Sequence, residues 1–114
     1  MSSLQIQRGQ VITVARPGAY SGKPRPAVVV QANRWLETHP SITLCPLTST
    51  LIEAPLVRIN LDPSAMNSLR KRSQLMVDKL FTLPIGDIGS SIGSLESTVI
   101  AELEFALRDW LALH

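Results

Sequence analysis

Apolar positions along the chain group into short blocks, mostly separated by turn residues. Residues 10–15 (Gln-Val-Ile-Thr-Val-Ala) follow Gly9 and are rich in β-branched side chains, which predicts a first strand. Residues 26–31 contain a continuous apolar run, Ala27 to Val30, that suits a strand buried on both faces. Residues 41–47 predict a third strand, which Pro46 should end or confine to an edge. Residues 54–61 partly alternate apolar and polar positions and predict a fourth strand with one face in water. Residues 73–80 predict a fifth strand, and 81–83 begin a sixth that Pro84 stops.

Between these blocks the chain carries breakers. Residues 16–23 hold Pro17, Gly18, Ser21 and Gly22 and read as a loop, and 32–40 read as a variable connection. Asp62-Pro63-Ser64 has the form of a helix start, with room only for a short turn before Arg70-Lys71-Arg72. Residues 85–93 carry Gly86, Gly89 and Gly93, which break any helix there. A single long helix is expected over 95–111, capped by Ser94. Its stripe is Val99, Leu103, Ala106, Leu107, Trp110 and Leu111, and Glu104 and Arg108 form an i,i+4 pair on the other face. Short strands with helix only at the end predict a mainly β fold, a small closed or half-open barrel with the C-terminal helix packed across it.

Bulk properties narrow the class. The chain has 114 residues, enough for one core and one domain over 1–114. At 45% apolar residues it is not a disordered tail. No apolar run reaches the length of a membrane span and the N-terminus has no hydrophobic leader, so a cytoplasmic location without membrane contact is expected. The one cysteine, Cys45, rules out an internal disulfide and reads as a small buried hydrophobe. Net charge is +2, unevenly spread: Arg8, Arg16, Lys23, Arg25 and Arg34 all precede the first acid, Glu37. Such asymmetry suits either a polyanionic partner or a solvated basic face.

The common catalytic sets are absent. His39 and His114 are the only histidines, there is no Cys-x-x-Cys, and no phosphate-binding glycine loop is present. No metal site and no cofactor is expected. What remains is Pro24-Arg25-Pro26, where two prolines hold Arg25 out of helical conformation at the mouth of a buried strand. The triplet also suits an ordinary loop ending with a solvated arginine. If strands two and three are antiparallel neighbours, Arg25 shares one end of the sheet with Thr48 and Ser49. A guanidinium fork beside a hydroxyl suits a phosphate. RNA cleavage by the substrate's own 2′-hydroxyl needs little more, since the enzyme aligns the attack and neutralises charge.

Arg8-Gly9-Gln10-Val11-Ile12, Arg25-Pro26-Ala27-Val28-Val29-Val30-Gln31, Pro46-Leu47-Thr48-Ser49, residues 73–80, Ile92-Gly93-Ser94-Leu95 and the closing helix occur in that order. Together they resemble the MazF/PemK family of toxin endoribonucleases of type II toxin–antitoxin systems. The resemblance implies an SH3-like small barrel with a C-terminal helix, a homodimer, and metal-independent cleavage of single-stranded RNA at a short sequence. It implies inhibition by the acidic tail of a cognate antitoxin. It carries the catalytic roles onto Arg25 and Thr48, and Lys23, Pro26, Ser49, Arg16 and Tyr20 are expected to bind substrate. The loop Tyr20-Ser21-Gly22-Lys23 lacks the carboxylate many members have there. The alternative is a non-enzymatic gyrase-binding toxin of the same fold, which would depend on a tryptophan at the extreme C-terminus. Here Trp110 is followed by four residues.

Overall fold

A computed structural model of the chain describes residues 5–14 and 25–114. Seven strands and one helix form: β1 (Gln10–Val14), β2 (Arg25–Val29), β3 (Ser41–Thr48), β4 (Arg58–Leu61), β5 (Ser73–Met76), β6 (Phe81–Pro84), β7 (Ile88–Ser94) and α1 (Ser97–Leu111). The strands are ordered β4-β5-β3-β2-β1-β7, with β6 beside β3, and all pairings are antiparallel. The fold is mainly β with a C-terminal helix. Among the described residues the path stays open at β4 and β7, so the barrel does not close.

The centre is β2, whose Ala27, Val28 and Val29 are fully buried. Alternate side chains leave a strand on opposite faces. Val28 therefore joins a cluster with Val11, Cys45, Leu75, Leu95 and Leu103. Ala27 and Val29 join a second cluster with Ile12, Ile42, Leu44 and Leu36. This is why the valine run reads as continuous rather than alternating. The strand begins one residue earlier than expected, at Arg25. Its expected end at Gln31 is replaced by a side chain: Gln31 Oε1 accepts from Thr43 N, and Nε2 donates to the carbonyls of Trp35 and Ser41.

Pro46 neither ends β3 nor marks an edge. One side of β3 pairs with β2 over Leu44–Pro46. The other side pairs with β6 up to Leu44 and with β5 from Leu47. Val30 N donates to Thr43 O at 3.2 Å. The alternation this sets turns the Pro46 nitrogen away from β2, into the changeover, where no ladder bond is lost.

Other expected boundaries shift for local reasons. The fourth strand starts only at Arg58, because the amides of Val57 and Arg58 both turn back to the Ala54 carbonyl beside Pro55. The fifth ends at Met76, where residues 77–79 wind into a 3-10 turn. β6 stops at Pro84, as expected, with Pro84 its last residue. No helix follows Asp62. Instead buried Asn67 organises the turn, its Oδ1 accepting from Ser64 N and Leu69 N and its Nδ2 donating to Asp62 O.

The glycine-rich stretch forms no α-helix, as expected, but residues 88–94 form β7, a strand not expected from the sequence. Val11 pairs with Gly93, and β7 runs so close to its neighbours that a Cβ on Gly93 would lie 2.8 Å from the Asn67 carbonyl carbon and oxygen. Gly89 and Gly93 permit the close approach of neighbouring segments.

Helix α1 begins at Ser97 with Glu96 at the cap, since Ser94 is still in β7. The Glu96 carboxylate accepts from Ser64 Oγ at 2.8 Å. Leu103 is buried, and Val99, Ala106 and Leu107 pack beside it, as the stripe predicts. The stripe stops there, leaving Trp110 and Leu111 about half exposed. Glu104 pairs with Arg8, not with Arg108, and Arg8 Nε also donates to Val30 O.

Candidate functional site

β2 starts and β3 ends at the same end of the sheet. Their register is Val29 opposite Leu44, Val28 opposite Cys45 and Ala27 opposite Pro46. Two residues further on, the same register sets Arg25 opposite Thr48. The alternation described above makes this a pair without ladder bonds between its members, the kind in which Cα atoms approach to about 4.5 Å and side chains stand closest. Both residues point to one face. Pro26 between Arg25 and the buried run lacks the N–H that would have bonded Leu47.

Arg25 is exposed and Thr48 half-buried. Thr48 Oγ1 accepts from Thr50 N at 3.1 Å, so its own hydroxyl hydrogen remains directed by whatever acceptor approaches. Ser49 is exposed beside it. The expected contributors Lys23, Arg16 and Tyr20 lie outside the described residues. Thus Arg25, Pro26, Thr48 and Ser49 come together, and the loop residues are not placed.

Across β3 from Arg25, Thr48 is paired with Gln74 of β5. This residue was not singled out from sequence, where it is one polar position in an apolar block. It is only 4% exposed. Beyond it opens a groove of about 1230 Å³ between residues 51–56 and α1. Leu56 and Phe105 at its walls are 75% and 74% exposed. The basic cluster is partly spent within the chain, since Arg72 pairs with Asp62 at 3.1 Å.

Cys45 is fully buried, and burial pushes its thiol up to about 12. It is a packing residue and no nucleophile. Among the described residues no three His, Cys, Asp or Glu side chains are grouped as metal ligands would be. Among the described residues no helix is long and apolar enough to cross a membrane.

A family model described as PemK-like, MazF-like toxin of type II toxin–antitoxin system matches residues 7–111. The chain belongs to this family. A "Probable endoribonuclease MazF" of Mycolicibacterium smegmatis is 36% identical to this MazF-like chain over 108 residues, covering 95% of it and 98% of the relative. Solved structures share the fold. An endoribonuclease in complex with its cognate antitoxin, from a mycobacterial species, has a TM-score of 0.79 at 21% identity over 96% of this chain and 97% of its own. The Mycobacterium tuberculosis toxin MazF-mt6 has 0.77 at 22%, over 92% and 98%. A MazE–MazF crystal structure from Deinococcus radiodurans has 0.79 at 17%, over 98% and 100%.

Proposed function

We propose that this MazF-like toxin is an endoribonuclease that cleaves single-stranded RNA at a short sequence, without a metal ion, using Arg25 and Thr48. The observation that carries this is the β2–β3 register, which, continued two residues beyond the pair Ala27–Pro46, leads to Arg25 opposite Thr48. The relative named as a probable endoribonuclease supports the reaction class. The substrate's 2′-hydroxyl loses its proton as its oxygen attacks the adjacent phosphorus, the bond from phosphorus to the 5′-oxygen breaks, and the 5′-oxygen takes up a proton, so one proton is lost at O2′ and one gained at O5′. The products are a 2′,3′-cyclic phosphate and a 5′-hydroxyl. Negative charge builds on the non-bridging oxygens, and the guanidinium fork of Arg25 binds two of them at once. Thr48 donates its hydroxyl to the same phosphate, and Ser49 and Pro26 bound the site. Lys23, Arg16 and Tyr20 bind the flanking RNA, whose bases are read unstacked.

The nucleophile belongs to the substrate, so no metal is needed to generate one. The 1–114 chain acts as one domain and works in the cytoplasm as a homodimer. The exposed Phe105, Trp110 and Leu111 give such a dimer apolar surface to bury. Its inhibitor is the acidic tail of a cognate antitoxin, a reading supported by the antitoxin complexes among the structural neighbours. The gyrase-binding alternative is not favoured, because the curated relative is named as a probable endoribonuclease.

The test is to incubate the purified protein with long single-stranded RNA in EDTA and map the new 5′ ends. Cuts at one short recurring sequence, absent with Arg25→Ala, are expected. Intact RNA, or cleavage only after magnesium is added, refutes the proposal.

A further inference from the structure

A buried carboxamide must place one oxygen and two N–H groups, and each left unpaired is costly. Gln74 places all of them. Its Nε2 donates to the Ile52 carbonyl at 3.0 Å and to Asn60 Oδ1 at 2.9 Å. Its Oε1 accepts from the Ile52 amide at 3.2 Å and, more weakly, from Arg58 Nη1 at 3.4 Å. The orientation is not arbitrary: a main-chain N–H can only donate and a carbonyl can only accept, so Ile52 dictates which end is oxygen. Gln74 thus binds both main-chain groups of Ile52, as a neighbouring strand would.

Ile52 is in residues 49–57, which lie between β3 and β4 and belong to no strand or helix. Its side chain is half exposed, so little burial holds it. Four residues earlier is Thr48, which is opposite Gln74 in the β3–β5 register and takes the Thr50 amide on its hydroxyl. Thr48 and Ile52 are thus both tied to Gln74, Thr48 by strand pairing and Ile52 by hydrogen bonds, and Thr50, bonded to Thr48, lies between them in the chain. Losing the Gln74 bonds releases the segment that fixes how the Thr48 hydroxyl and Ser49 stand at the end of β3.

We propose that Gln74 is a positioning residue of the RNA-cleaving site, acting through Thr48 without touching RNA. This rests on the function proposed above. Met at 74 keeps the length and loses every polar bond. Glu at 74 keeps an acceptor for the Ile52 amide and turns an oxygen towards the Ile52 carbonyl. The conservative variant should therefore retain more activity than the apolar one only if the Ile52 amide bond is what matters.

The experiment measures kcat and KM on a short cleavable RNA for Gln74→Met and Gln74→Glu, each with Thr48 and with Thr48→Val. Hydrogen exchange of the Thr50 and Ile52 amides is followed in parallel. Gln74→Met should lower kcat by about 10- to 100-fold, as small misplacements in active sites do, with KM within about threefold. The two amides should exchange faster. In the Thr48→Val background the same substitution should add less than about threefold, because the residue it acts through is already disabled. Unchanged kcat in Gln74→Met, or an equal loss in both backgrounds, overturns the inference and leaves Gln74 a purely structural residue. Wild-type kcat in Thr48→Val alone refutes the site reading instead and removes any catalytic meaning from Gln74. Amide exchange then still reports whether Gln74 holds the segment. If Gln74→Met does not fold, Gln74→Glu supplies the same cycle.

Discussion

Replacing Gly93 by alanine tests the close approach of β7 to the turn before β5. The added Cβ would meet the Asn67 carbonyl carbon and oxygen at 2.8 Å, with the Met66 carbonyl nearer still. Ordinary carbon contacts need about 3.5 Å or more, so backbone must move by well over half an ångström. It resists moving. Met66 O accepts from Ser94 N at 2.9 Å, and Asn67 is 1% exposed and bonded to Asp62, Ser64 and Leu69. Overpacking of this kind costs about 1–3 kcal/mol, and the lower entropy of unfolded alanine returns about 0.4–1. A net loss of about 1–2 kcal/mol is expected, or roughly 4–8 °C in Tm for a chain of this size. Gly86 is the control, because a Cβ there meets nothing within 4 Å and its φ is not in the left-handed range. Gly86→Ala should be neutral or more stable by up to about 1 kcal/mol. Urea unfolding at one protein concentration, comparing midpoints at constant m, reads both. A Gly93→Ala protein within about 0.5 kcal/mol of wild type, or equal losses at both sites, would refute the packing argument.

Arg25→Ala should reduce RNA cleavage by about 10²- to 10³-fold, as for one lost preorganised donor, and Arg25→Lys should also be poor because an ammonium cannot grip two oxygens. The circular dichroism spectrum and melting of both should stay near wild type, since Arg25 is exposed. Thr48→Val should slow cleavage far more than it lowers the urea midpoint, and a variant with wild-type kinetics would make that hydroxyl structural. For Cys45, the folded thiol titrates near 12 against 9.0 ordinarily, because burial disfavours the thiolate. The unfolded chain therefore loses its proton first, so this contribution to stability is intact below about pH 9 and declines as pH rises towards 12. Alkylation by iodoacetamide at pH 8 should occur only on unfolding in urea, and rapid native labelling would contradict the buried placement.

How far the fold could be read from sequence varied with the kind of force involved. The valine run of β2 and the Leu103 stripe were legible because both report burial, which the apolar pattern encodes directly. Pro46 was expected to end a strand or lie on an edge, and Gly93 only to break a helix; the part each plays in the sheet was hidden for a shared reason. Each was weighed as a local preference, whereas its meaning comes from a distant segment: the changeover from β6 to β5 for one, the Met66–Asn67 backbone for the other. Glu104 was matched to Arg108 by helix spacing, but Arg8 reaches it from across the fold. At the candidate site, Arg25 stood out through its flanking prolines and Thr48 through its place at a strand end. Gln74 did not, because a polar residue in a strand is ordinary until its partners are known.

The link between Arg8 and Glu104 joins residues 96 positions apart. Gly9 is tied in the same way, donating to Val29 and accepting from Leu95. On the ribosome, β1 emerges early and can take β2 as its neighbour, but its other edge stays unpaired until residues 88–94 have been made. The helix that covers the Val11 cluster follows last of all. A growing chain therefore assembles the β2–β3 end, with Arg25 and Thr48, before it gains the elements that fasten its own beginning. The second neighbour of β1 and the covering helix come only once residues 88–111 have been made, so translation halted before Ile88 yields a sheet with an open edge rather than a smaller version of the same protein.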